Sequence, residues 1–184
     1  NGLARWCWLS GILLGVAIGI RLTYAPLVAP FLLAFWWVET GRWRSLISFC
    51  SGVFVALSSL IALAAFAPEQ ALFANFEFGN VNVTYRMATG DPRTMTLLKK
   101  LRYVFKEIMR PDAGLVLAFV VTMIGAWWSR RQAGLKLPVA LQLLLLVLPF
   151  LLIGSLAPSP LFEQYFYPFV PFLILGAVLA LAAI

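Results

Sequence analysis

The chain has no histidine and only two cysteines, Cys7 and Cys50, which form no C-x-x-C pair. A Cys/His metal site is therefore excluded, because such sites need clustered thiolates and imidazoles. A divalent metal held by carboxylates stays open, and no cofactor is evident. Both cysteines lie in apolar runs, where a thiol packs as a small hydrophobe. Charge is also scarce: 11% of the 184 residues are Asp, Glu, Lys or Arg, against 62% hydrophobic. A water-soluble domain of this length needs a more polar surface than that supplies. The mean hydropathy of +0.94 points instead to the lipid bilayer as partner. No nucleic-acid partner is expected.

In lipid every backbone polar group must pair internally, so spans are helices or closed barrels. Barrel strands alternate apolar and polar residues, and LPVALQLLLLVLPFLLIGSL (137–156) does not. The expected fold is all-α and polytopic: about six transmembrane helices plus one interfacial amphipathic helix, in a single transmembrane domain over 1–184. The spans fall at about 6–20, 24–38, 45–67, 113–128, 137–157 and 165–184. Several are shorter than the roughly 20 residues a bilayer needs, which implies tilt or truncation. The chain opens without Met and closes on Ala183-Ile184 inside an apolar run. It is expected to be an internal or C-terminal piece of a longer protein.

Gly11, Gly15 and Gly19 recur every fourth residue on one face of the first span, a spacing that lets another helix approach closely. Phe35-Trp36-Trp37 and Trp127-Trp128 are interfacial anchors. They are followed by the basic hairpins ETGRWRS (39–45) and SRRQAGLK (129–136). The count of Lys and Arg is larger on the opposite face, but the cations of these hairpins, Arg42, Arg44, Arg130, Arg131 and Lys136, are dense and tight against the spans, which favours a cytoplasmic placement for them. RLTY (21–24), the segment 68–112 and PSPLFEQY (158–165) then face outward. The setting expected is a bacterial inner membrane with 68–112 extracytoplasmic.

That outer segment has two parts. ALFANFEFGNVNVTYRMATGDPR (71–93) mixes aromatics, asparagines and a Gly90-Asp91-Pro92 turn signal, and reads as a polar loop. TMTLLKKLRYVFKEIMR (94–110) has helical periodicity. Leu97, Leu101, Val104 or Phe105, and Ile108 form one stripe, with Lys99, Lys100, Arg102 and Lys106 off it. Thr94 or Thr96 caps the start and Pro111 ends it. This is an amphipathic helix lying in the membrane interface. Its cations attract anionic headgroups in general or, more sharply, one lipid-linked phosphate.

Three groups of polar residues are more than anchors. Arg21, beside Tyr24, is either a snorkelling charge or a guanidinium placed for phosphate oxygens. Asn75, Glu77, Asn80, Asn82, Tyr85 and Arg86 suit sugar hydroxyls and ring faces, and suit a solvated loop equally. The third group lies in APSPLFEQYFYPFVPF (157–172). Pro158 and Pro160 enforce an extended entry, and Pro168 and Pro171 kink the next helix or set its first turn. Between them stand Glu163, Gln164 and Tyr165. An ionisable residue at the mouth of a span is a site candidate; the plainer role for Glu163 is to complement a helix N-terminus.

GILLGVAIGIRLTYAPLVAPFL, FEFGNVNVTYR with the basic segment after it, and PSPLFEQYFYPFVPFLIL together resemble, in that order and over nearly the whole chain, the polytopic GT-C class glycosyltransferases. These include the protein O-mannosyltransferases and the aminoarabinose transferases of lipid A. The resemblance implies transfer of a sugar from a polyprenyl-phosphate-type lipid carrier to an acceptor outside the cytoplasm. Arg21 matches the basic residue at the outer end of the glycine-rich helix, with a role at the lipid phosphate. Glu163, Gln164 and Tyr165 match the late outer loop, near donor or acceptor. The class keeps its acidic catalytic residue in the first outer loop, so the resemblance implies that the base lies outside this piece, and no catalytic residue is assigned. The residues expected to bind substrate are Arg21, Tyr24, Asn82, Tyr85, Arg86, Glu163, Gln164 and Tyr165. Those expected at a lipid phosphate or headgroup are Arg21, Lys99, Lys100 and Arg102. The competing readings are a transporter or permease, which broken helices and midplane charges would favour, and a non-catalytic membrane assembly subunit built on the glycine face.

Overall fold

The computed structural model describes residues 2–37, 42–89, 96–159, 161 and 163–184. Readings that rest on Glu39, on Gly90-Asp91-Pro92, on Arg93, Thr94 and Pro160, and on the side chains of Arg42 and Ile108 lie outside the described residues. The described residues are helical, with no strand among them. In order they form α1 (Gly2–Ile20), α2 (Val28–Trp37), α3 (Arg42–Phe66), α4 (Pro68–Leu72), α5 (Phe78–Ala88), α6 (Leu97–Tyr103), α7 (Ala113–Gln132), α8 (Val139–Leu156) and α9 (Phe169–Leu181). They fall into two compact units, Asn1–Asp91 with Ala157–Pro160, and Pro92–Leu156 with Leu161–Ile184.

In the first unit α1 and α3 run parallel and nearly backbone to backbone. A Cβ added at Gly11 would collide with the Phe49 carbonyl oxygen, one at Gly52 with that of Trp8, and one at Gly15 would lie 2.6 Å from the Ala56 Cβ. Small residues thus remove the side-chain layer that normally separates helices. Gly19 stands apart from this contact, with Leu57 Cδ2 at 3.8 Å as its nearest neighbour. Phe49 is fully buried and takes the rings of Phe31 and Phe35 at 5.5 and 5.3 Å, which docks α2 on α3.

Two expectations for this unit change. The span placed at 24–38 is α-helical only from Val28, because Arg21 is extended (φ −153°) and a 3-10 turn holding Pro26 fills Leu22–Leu27. The stretch read as a polar loop is helical to Ala88: Pro68 opens α4, a π-helical turn follows at Phe73–Glu77, and α5 continues. Proline at the first turn has no N–H to leave unpaired. Asn75 Nδ2 donates to the Ala71 carbonyl and Thr84 Oγ1 to that of Asn80, so side chains taken as loop formers bond to the preceding helical turn.

In the second unit the side chain of Thr96 caps α6, accepting from the Lys99 N–H at 3.4 Å. The helix becomes π-helical over Val104–Met109 and turns at 110–112 before α7. Gly134, at φ +67°, ends α7; its N–H reaches the Arg131 carbonyl and that of Leu135 the Arg130 carbonyl. This paired closure needs the left-handed conformation that glycine adopts without strain. The core gathers Phe119, Met123 and Ala126 of α7, Leu141 and Leu144 of α8, and Ala180 and Ala183 at the end of α9.

Four helices, Gly2–Ile20, Trp43–Phe66, Ala113–Gln132 and Val139–Leu156, are long and apolar enough to cross a membrane. They are compatible with an integral membrane protein. Only 11% of the apolar stretch of α3 is buried, and Phe54 and Phe66 are among its exposed side chains. The apolar helices expected as second and sixth spans are shorter, Leu22–Trp36 and Phe169–Leu181. A 13-residue helix rises about 20 Å, against a hydrocarbon core of about 30 Å.

Candidate functional site

The second unit brings together residues far apart in sequence. Its focus is where α8 ends and the chain turns back toward α9. Ser155 is buried, and its Oγ donates to the Tyr165 carbonyl at 2.7 Å. Leu161, Phe166 and Val104 form a small buried cluster against Leu152, Leu156, Tyr103 and Tyr165. α8 ends at Leu156, two residues before Pro158, Pro168 stands at the N-terminal boundary of α9, and Pro171 falls in its first turn. The 3-10 turn Glu163–Tyr165 is held between these anchors.

On this platform Tyr103 Oη donates to Glu163 Oε1 at 3.3 Å. Lys100 reaches the end of α8, where its Nζ donates to the Leu156 carbonyl at 2.8 Å. The C-terminal carbonyls of a helix carry partial negative charge and lack helical partners, so an ammonium there is favoured. Lys100 is only 6% exposed, and this burial holds its pKa below the usual lysine value. Desolvation disfavours the charged form. A carboxylate, a phenol and a lysine therefore meet at one end of α8, with Tyr165 half-buried and Gln164 exposed beside them.

The expected residues divide as follows. Glu163, Gln164, Tyr165 and Lys100 share this region. Glu163 belongs to its own turn, six residues before α9, and lies outside that helix's first turn. Lys99 and Arg102 are exposed on α6. Of the expected stripe, Leu97, Leu101 and Phe105 are exposed, while Val104 packs inward with Lys100. In the first unit Arg21 and Tyr24 are half-buried where α1 gives way to the 3-10 turn; the Tyr24 N–H donates to the Arg21 carbonyl at 3.0 Å. Asn82 and Arg86, four apart, share a half-buried face of α5, and Tyr85 is exposed. Among the described residues no three His, Cys, Asp or Glu side chains gather to hold a metal ion.

Sequence reading missed Tyr103 and Ser155. Neither carries a local signal: Tyr103 sits among apolar residues of a basic helix, and its acidic partner is 60 residues away. No protein-family model, curated protein or solved structure matches the chain.

Proposed function

We propose that the chain is part of a membrane glycosyltransferase that moves a sugar from a polyprenyl-phosphate-type lipid carrier to an acceptor on the extracytoplasmic side. The observation that carries this reading is the meeting of Lys100, Tyr103 and Glu163 at the end of an apolar helix of membrane-spanning length. A lipid-linked donor presents its phosphate at the membrane surface and its sugar just beyond; exposed Lys99 and Arg102 of α6 offer cations, and exposed Glu163 and Gln164 offer hydrogen-bonding groups, while buried Lys100 holds the end of α8. In the transfer the acceptor oxygen bonds to the anomeric carbon, the bond from that carbon to the phosphate oxygen breaks, and its electron pair passes to the phosphate. Cations stabilise this developing charge. Arg21, at the end of α1 in the first unit, keeps its own expected role at a lipid phosphate. The acceptor proton passes to a carboxylate outside this piece, as the resemblance implies.

On this reading α2 and α9 complete six passes by locally thinning the bilayer, α6 lies in the interface with Leu97, Leu101 and Phe105 toward lipid, and 68–112 faces outward from a bacterial inner membrane. The transporter reading is less favoured because the charges of the four long helices lie in their end turns, Arg5, Arg44, Arg130 and Arg131, and transport pathways place them near the midplane. The test is sugar transfer from a radiolabelled polyprenyl-phosphate sugar in membranes carrying the complete protein. Glu163→Gln and Arg21→Ala are each expected to lower transfer about 10–100-fold, the worth of one charged hydrogen bond, at unchanged protein level. Wild-type transfer in both removes the assignment.

A further inference from the structure

At the other end of α7 lies a second polar feature that the proposed reaction leaves unused. Trp127, Arg130, Arg131, Lys136 and Gln142 are among the residues that line an open hollow of about 480 Å³ between the end of α7 and the start of α8. We propose that this hollow binds the phosphate of an anionic phospholipid headgroup.

Four observations point there. First, three of the lining residues are cations and none is acidic, so an anion is the complementary ligand. Second, two of the three cations are held in place. Arg130 Nε donates to the Ala183 carbonyl at 2.9 Å, the Arg131 guanidinium sits 5.2 Å from the centre of the Trp127 ring, and the Gly134 closure fixes the hairpin between them. Third, Gln142 Nε2 donates to the Leu137 carbonyl at 2.6 Å, which steadies the far wall. Fourth, the hollow lies where two helices of membrane-spanning length end, beside Trp127 and Trp128, both largely exposed. Tryptophan at such an end marks the headgroup level, and basic pockets between spans at that level take anionic headgroups. A guanidinium stacked on an indole keeps its outer N–H groups for phosphate oxygens. The apolar surface next to it, exposed Leu135 and Val139, receives the acyl chains. This inference rests on the membrane reading and is independent of glycosyl transfer.

The test uses the complete protein in neutral detergent, with thermal stabilisation followed against short-chain phosphatidylglycerol, short-chain phosphatidylcholine and inorganic phosphate. Phosphatidylglycerol is expected to stabilise saturably and phosphatidylcholine to have no effect. Arg131→Gln weakens the apparent affinity about fivefold, and the Arg131→Gln, Lys136→Gln pair about 25-fold, from about 1 kcal/mol per cation at a membrane surface. Both side chains are exposed, so neither change disturbs the core; Arg110→Gln, an exposed cation before α7, keeps wild-type affinity. Equal affinity in wild type and the double variant overturns the proposal, as does inorganic phosphate matching the lipid. Alkaline carbonate extraction is scored separately: loss of the protein from the membrane pellet overturns the membrane reading itself.

Discussion

Lys100 shows how one side chain changes meaning between sequence and fold. In the sequence it is one of four cations beside an apolar stripe. In the structure it is buried, with its amine at the end of α8. Lys100→Met removes a charge-assisted bond worth about 1.5–3 kcal/mol but also relieves the cost of desolvating an ammonium, so a net loss below that range is expected at neutral pH. The pH dependence has a definite sign. The folded-state pKa is lowered, so below that value both states hold the proton and the desolvation cost is present in full. As pH rises through the folded-state value the folded protein releases its proton first, and stability increases until the unfolded-state value is passed. The wild type should therefore gain on Lys100→Met between neutral pH and about 10, the ordinary lysine range. Thermal unfolding of both proteins at two pH values measures it; a constant difference contradicts the burial argument.

At the scale of elements, the pairing of α1 with α3 separates glycines that look equivalent. Gly11 and Gly52 face backbone carbonyls of the other helix, whereas Gly19 has an ordinary contact at 3.8 Å. Gly11→Ala and Gly52→Ala should each destabilise by about 1–3 kcal/mol through forced separation of the helices. Gly19→Ala should be neutral or stabilising by up to about 1 kcal/mol, since alanine is the better helix former. Unfolding in detergent, compared across the three variants, reads the sign of each change. The same close approach explains why Gly52 is easily missed: it is a single glycine in FCSGVF, and only the partner helix shows what it is for. The prolines work the other way, acting locally and visibly. Pro26, Pro68 and Pro168 each sit where a helix begins or is delayed, because none can donate a backbone N–H.

At the scale of the whole molecule, the membrane reading predicts where the α7–α8 hairpin lies. A reporter that is active only in the cytoplasm, fused after Ala133 in the complete protein, should be active, and one active only outside should be silent. The opposite pattern would reverse the assignment of the basic hairpins and place the Lys100–Glu163 region on the cytoplasmic side of its helix, against the proposed reaction.

The sequence by itself determined the helical class, the four long apolar helices and most of their ends. These follow from composition, hydropathy over some 20 residues, tryptophan and arginine at boundaries, and proline and glycine at turns, all of which act within one or two helical turns of themselves. It also marked Glu163, Gln164 and Tyr165 as unusual, since polar residues between prolines in an apolar chain stand out without a partner. Only the tertiary structure decided what Glu163 meets, that Lys100 turns inward while Leu97 and Phe105 turn outward, that residues 71–88 are helical, and that Arg130, Arg131, Lys136 and Gln142 enclose one hollow. Each of these depends on the direction a side chain takes once two helices are packed, and that direction is set by contacts between residues distant in the chain.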